Sequence, residues 1–404
     1  MKIVKRIFLL AGLLCVTNIC KSVNSIYTSA EDFTVTPTSS AVDHKENVLV
    51  TQAKSAYAMD YETQTVIYAQ NEYKRLPIAS MCKIMTLILC FDAIHEGALT
   101  FDEQICISER AASMGGSQVF LEANAKYPVK ELIKSIVVCS ANDSCVAMAE
   151  RISGSEGLFV DKMNEKTREL GANDTLFANC TGLPKDPQYS CAKDVAIMLK
   201  ALLNNEEYYQ FGGVWMDKFQ HPEGRYTEIS NTNKLVRFYD GCDGGKTGFT
   251  NEAGFCLAAT AKRNDMRIIS VVIGEESSSN RFEDVKMLFD YAFANYMVAP
   301  LVRVGQSLGD EIQVACGKQK TLPIYPERSA NAFIKRGEKN TYATEMRITD
   351  LKAPIEKDAI IGELILFKDG VEYDRIKLLA GEKIEKANFF DSLKEVARLW
   401  NARY

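Results

Sequence analysis

Histidine is scarce in this sequence: three in 404 residues, at His44, His95 and His221. His44 lies in a Ser-, Thr- and Pro-rich stretch, and His95 sits on a segment with helical patterning. A Ser-His-Asp triad therefore has little support, and a hydrolase built on this chain needs another base. No Cys-x-x-Cys pair occurs, which argues against a zinc site. Positive charge is not in excess either. Lys and Arg number 48 against 53 Asp and Glu, for a net charge of −5. A protein that grips a phosphate backbone needs the opposite balance, so nucleic acid is excluded as a partner. Repeats and low-complexity tracts are also missing.

What is present begins with a leader. Lys2, Lys5 and Arg6 precede an apolar run from Ile7 to Val16. That run is too short to span a bilayer, which takes about 20 residues, and suits the core of a secretory signal. Small residues around Val23-Asn24-Ser25 suit cleavage after Ser25, with a cut after Ala30 or an uncleaved anchor as the alternatives, so residues 1–25 read as a signal peptide and the mature body as extracytoplasmic. Of the twelve cysteines, Cys15 and Cys20 lie in this leader. The others stand singly in apolar stretches, as at Cys90, Cys139, Cys256 and Cys316. They read mostly as buried free thiols that pack like small hydrophobes.

Residues 26–47 read as a flexible linker, because Ser, Thr and Pro replace apolar periodicity there. Residues 48–298 mix strands and helices, the texture of one α+β domain. Two strands are predicted around a turn near Asp60-Tyr61-Glu62, and a helix from Ser80 through Ile84–Ile94. Helices follow at Val129–Ser140, Ser144–Ile152, Leu158–Leu170 and Ala192–Leu203. Phe255–Ala261 and Met266–Ile273 flank Asn264-Asp265 as a hairpin, and a helix follows at Arg281–Tyr296. Short β-rich runs then mark a small all-β domain over 299–381. Residues 382–404 carry Phe389, Phe390, Leu393, Val396, Ala397 and Trp400 at helical spacing. This amphipathic helix suits either a membrane surface or the face of its own domain.

Ser80-Met81-Cys82-Lys83 supplies the missing base. Positions i and i+3 share a helix face, so the Lys83 amine can reach the Ser80 hydroxyl. A neutral lysine activates a serine, but neutrality at pH 7 demands a pKa shift of roughly 3 units, about 4 kcal/mol. Burial beside Ile84, Leu87 and Leu89 and a second nearby cation both push that way. Ser190-Cys191-Ala192-Lys193 repeats the pattern and reads as a solvated helix start. Ser80 is distinguished by company. Ser140-Ala141-Asn142 follows between two helical stretches, and Lys246-Thr247-Gly248 stands directly before the predicted hairpin. Asp143 reads as structural.

The ordered trio resembles the signature of the penicillin-binding and serine β-lactamase superfamily. Further stretches narrow the resemblance to low-molecular-mass serine D-alanyl-D-alanine carboxypeptidases: Leu76-Pro77-Ile78-Ala79, Gly116-Ser117 with Phe120-Leu121, and Asn179 with Gly182-Leu183. Leu351-Lys352-Ala353-Pro354 is similar to that family's C-terminal domain. Cys82 departs from it, since the family commonly shows Ser or Thr there. The resemblance implies an antiparallel sheet with a helical subdomain, followed by the β-domain. It implies Ser80 as nucleophile, Lys83 as base and Ser140 as proton relay. Asn142, Lys246, Thr247, Gly248 and Phe249 would bind substrate, with the N–H groups of Ser80 and Phe249 as oxyanion donors. The implied partners are the peptidoglycan stem peptide and, as inhibitors, β-lactams; no metal or cofactor is implied. A β-lactamase is the nearest rival, but no Glu-x-x-Leu-Asn segment lies between Asn142 and Lys246. A cross-link endopeptidase and a penicillin-binding sensor without turnover remain as alternatives.

Overall fold

A computed structural model describes residues 30–34, 49, 51–308, 312–337, 341–349, 351–391 and 393–394. The signal read at residues 1–25 lies outside the described residues, as does the terminal segment beyond residue 394. The chain divides into two compact units, Val42–Met297 and the remainder.

The larger unit is built on five antiparallel strands. They are β1 (Ser55–Asp60), β2 (Val66–Gln70), β3 (Cys242–Thr250), β4 (Gly254–Arg263) and β5 (Met266–Glu275), in the order β2-β1-β5-β4-β3. The hairpin β4–β5 turns through Asn264, whose φ of 53° suits a tight turn. β5 is buried almost throughout, so it needs cover on both faces. Helices α5 (Ala192–Leu203) and α6 (Ser278–Asn295) both pack on it.

Four further helices make the helical part: α1 (Lys83–His95), α2 (Val129–Cys139), α3 (Asn142–Ser153) and α4 (Glu156–Leu170). α1 is buried from Lys83 through Phe91, which is possible because α2, α3, α4 and α5 all contact it. A helix apolar on every side belongs at the centre of a core. Ser80 itself lies in a 3₁₀ turn, Ala79–Cys82, that leads into α1.

Apart from a short helical stretch at its end, the described part of the smaller unit is β-structured. Strands Thr341–Ile348, Ile360–Lys368, Val371–Ala380 and Ile324–Pro326 form an antiparallel sheet around Leu364, Leu366, Ile376 and Leu378. Its edge is Ala30–Thr34, paired with Thr341–Glu345. Those residues were expected to be linker. Backbone pairing to an open edge supplies an order that side-chain pattern does not announce. Of the expected terminal helix, Phe389–Asp391 and residues 393–394 are helical.

The fold is thus α+β followed by a small β unit, as the sequence indicated.

Candidate active site

Ser80 enters the site from a strained turn. Ala79, just before it, has φ +47° without being glycine, a conformation that surrounding structure must hold in place. Part of that hold is Gly182, where a Cβ would lie 2.0 Å from Ala79 O and 2.9 Å from Ser80 N. Only glycine, here at φ +81°, lets the two turns meet.

Lys83 is fully buried. Its Nζ donates to Ser80 Oγ at 2.9 Å and to Thr181 O at 2.6 Å. Burial pushes its pKa down, as an amine in apolar surroundings resists protonation.

Ser140 and Asn142 come from the α2–α3 corner. Ser140 caps α2 in the left-handed region, φ 65° and ψ 35°. Asn142 opens α3, with its N–H on Ser117 O and its Nδ2 on Gly115 O, both at 2.7 Å. Ser140 Oγ and Asn142 Oδ1 are buried with no partner within the protein. Asp143 has a structural task, accepting from Val119 N and Leu121 N at 3.1 Å and from Ser144 N at 2.9 Å.

The third motif lies on β3, in register with β4 at Lys246 opposite Ala258 and Gly248 opposite Cys256. A Cβ on Gly248 would stand 2.6 Å from Ile78 O and 3.2 Å from Ser80 N, so the strand runs hard against the Ser80 turn. Lys246 is 2% exposed and Thr247 5%. The Lys246 Nζ donates to Thr247 O at 3.0 Å. Its pKa is held well below the usual range by burial first and by the Lys83 charge second. The Cys139 thiol, next to Ser140, also feels the Lys246 charge. The structure therefore brings Lys83 onto Ser80, sets Gly248 against the Ser80 turn, and holds Lys246 near enough to Lys83 and to Cys139, beside Ser140, for their charges to interact. Phe249, the next residue on β3, lies exposed and stacked on Phe255 at 4.3 Å between centroids.

The second Ser-x-x-Lys copy is built differently. Ser190 is fully buried rather than solvated, within 2.7 Å of Thr175 Oγ1. Lys193 turns away, donating to Tyr73 OH at 3.0 Å. That serine carries no lysine base. Among the histidines, His221 is held between Tyr127 OH at 3.0 Å and Thr227 Oγ1 at 2.9 Å.

Arg281 escaped the sequence reading. From α6 its Nη1 reaches Gly248 O at 3.2 Å, and its guanidinium lies 5.4 Å from the Phe255 ring centre. Its Nε is buried and unpaired. It places a further cation behind the third motif. A single arginine in a mixed helix carries no spacing signal that marks it.

Comparison with known proteins identifies the family. The family model for D-alanyl-D-alanine carboxypeptidase matches residues 41–277. The model for the penicillin-binding protein 5 C-terminal domain matches residues 296–386. D-alanyl-D-alanine carboxypeptidase DacF of Bacillus subtilis is 41% identical, covering 87% of this chain and 91% of its own. A peptidoglycan synthesis regulatory factor, PBP3, from Streptococcus pneumoniae has a similar solved structure. Its TM-score is 0.72 at 26% identity, over 83% of this chain and all of that one. Penicillin-binding protein D2 of Listeria monocytogenes, solved in ampicillin-bound form, reaches a TM-score of 0.55 at 28% identity, covering 61% and 99%. With its catalytic unit and its β unit both matched, the chain belongs to the D-alanyl-D-alanine carboxypeptidase family.

Proposed function

We propose that this serine carboxypeptidase is exported and removes the terminal D-alanine of peptidoglycan stem pentapeptides through an acyl-enzyme on Ser80, and that penicillin acylates the same serine. One observation carries the reading: a fully buried lysine amine lies 2.9 Å from the Ser80 hydroxyl. Such an amine is a base when neutral, and its surroundings favour neutrality.

The terminal carboxylate of the substrate docks against Lys246 and Thr247, with the Arg281 cation behind them. Ser80 Oγ then attacks the penultimate D-alanine carbonyl as Lys83 takes the hydroxyl proton. Ser80 N–H and Phe249 N–H receive the developing oxyanion, each donor contributing about 3 kcal/mol. Lys83 returns that proton through Ser140 to the departing amine, so that both are restored as D-alanine leaves. Water attacks the ester as Lys83 takes its proton, and Lys83 hands that proton to Ser80 Oγ as the acyl bond breaks, restoring both. Asn142 Oδ1, buried and unpaired in the protein, accepts from a substrate amide; leaving such an atom unpaired costs about 1–3 kcal/mol. No cofactor takes part.

The basic, apolar leader of residues 1–16 supports export. Phe389, Phe390 and Leu393 are 67%, 71% and 54% exposed, which supports a peripheral contact of the terminal segment with a membrane surface.

The test is D-alanine release from a peptide ending in D-Ala-D-Ala by the purified protein and by Ser80→Ala. Release by the wild type alone supports the reading. Labelling by penicillin without release would assign a sensor, and cleavage confined to cross-linked muropeptides an endopeptidase.

A further inference from the structure

Lys83 is held by a carbonyl that belongs to none of the three motifs. Thr181 O accepts from its Nζ at 2.6 Å, within a turn, residues 179–183, that is neither helix nor strand. One buried side chain organises that turn. Asn179 Oδ1 accepts from Thr181 N at 3.1 Å, Thr181 Oγ1 at 3.1 Å and Gly182 N at 2.7 Å. Its Nδ2 donates to Leu183 O at 2.8 Å. The same backbone is tied to the entrance of α1: Thr86 Oγ1 donates to Cys180 O at 2.7 Å and Cys82 Sγ to Asn179 O at 3.2 Å. Gly182 presses on the Ser80 turn from the other side.

We infer that Asn179 is the positioning residue for Lys83: its amide folds the 179–183 turn so that the Thr181 carbonyl fixes the amine facing Ser80. The inference rests on the reading of Lys83 as base. A neutral amine has two N–H bonds and one lone pair, and it rotates freely at the end of four methylenes. With one N–H held on Thr181 O, loss of the proton directed at Ser80 Oγ leaves the lone pair facing the hydroxyl. A neutral carbonyl also suits an amine, whereas a carboxylate would favour the ammonium and cost the base its lone pair. Cys82 contributes by anchoring the Asn179 carbonyl, a bond that a serine hydroxyl at that position would also make.

The experiment compares Asn179→Ala and Asn179→Asp with wild type. It measures the acylation rate constant for a fluorescent penicillin, per titrated active site, across pH, together with thermal unfolding. Loss of the staple in Asn179→Ala is expected to lower the alkaline plateau about 10- to 100-fold. Asn179→Asp keeps the three accepted bonds and is expected to hold the plateau within a few-fold. Its added negative charge favours protonated Lys83, moving the acidic limb to higher pH by about 1 unit or more. A wild-type plateau in Asn179→Ala, with only the unfolding temperature changed, overturns the inference. If that variant does not fold, Asn179→Asp decides alone, and an unshifted limb overturns it. Lys83→Met separates the two readings. Full acylation by that variant sinks the base assignment itself. An inert Lys83→Met beside wild-type-like Asn179 variants sinks only the positioning role.

Discussion

Gly248→Ala tests the geometry of the cleft with a single carbon atom. The new Cβ would stand 2.6 Å from Ile78 O, 3.1 Å from Ala79 Cβ and 3.2 Å from Ser80 N, where ordinary contact begins near 3.4 Å. Two of these neighbours are backbone atoms, so β3 and the Ser80 turn must part by several tenths of an ångström. Ile78 O is also held by Met81 N–H at 3.1 Å, which limits relief from the turn. The proposed oxyanion donors sit on opposite sides of that seam, Ser80 N on the turn and Phe249 N on the strand. Separating them lengthens one hydrogen bond past its useful range, a loss of about 3 kcal/mol or roughly 10²-fold in acylation rate. Overpacking of this size costs about 1–3 kcal/mol of stability, which leaves the unit folded. The assay is the second-order rate constant for a fluorescent penicillin, with circular dichroism confirming the fold. A folded variant that acylates at the wild-type rate would refute the oxyanion geometry.

Lys246→Gln removes a cation whose repulsion with Lys83 is mutual. The Lys83 pKa then rises; because the proposed base is the neutral amine, the acidic limb of acylation should move up by about 1 pH unit, read from the rate against pH. Glu275 is 1% exposed, and its pKa is pushed up to about 8 by burial first and then by the neighbouring Asp284 carboxyl. A carboxyl raised this way stabilises the fold fully below its unfolded pKa, and that contribution is lost as pH rises through the folded value. Glu275→Gln should abolish this decline, so that the unfolding temperature falls less between pH 5 and 8 than in wild type; an unchanged slope counts against the raised carboxyl. Burial pushes the Cys82 thiol far up, whereas Cys106 is exposed. Brief alkylation of the folded protein near neutral pH is therefore expected to mark Cys106 and spare acylation, with tryptic mass mapping as the check.

Much of the frame was readable because it obeys simple periodicities. α1 follows an unbroken apolar run, and the β4–β5 hairpin follows two apolar runs around Asn264-Asp265. The hairpin of Met216–Gln220 and Tyr226–Ser230 was not foreseen, since only Phe219 and Ile229 of its residues are buried. Alternation cannot show where there is hardly a buried face. Ala30–Thr34 was missed as a strand because its order comes from a partner far along the chain. At the site, residue type and spacing pointed to Ser80 and Lys83, but the two Ser-x-x-Lys copies are equal as strings. Burial and the direction of the lysine separate them, and both are tertiary facts. The Thr181 carbonyl lies further still from sequence, because a backbone oxygen has no letter of its own.

The central claim is that Ser80, with Lys83 as its base, forms the covalent intermediate. Tryptic mass mapping after brief exposure to penicillin tests it most directly. The account expects one penicilloyl group on the peptide containing Ser80, and none in Ser80→Ala or Lys83→Met. Adduct on the peptide containing Ser190, or undiminished adduct in Lys83→Met, would contradict it.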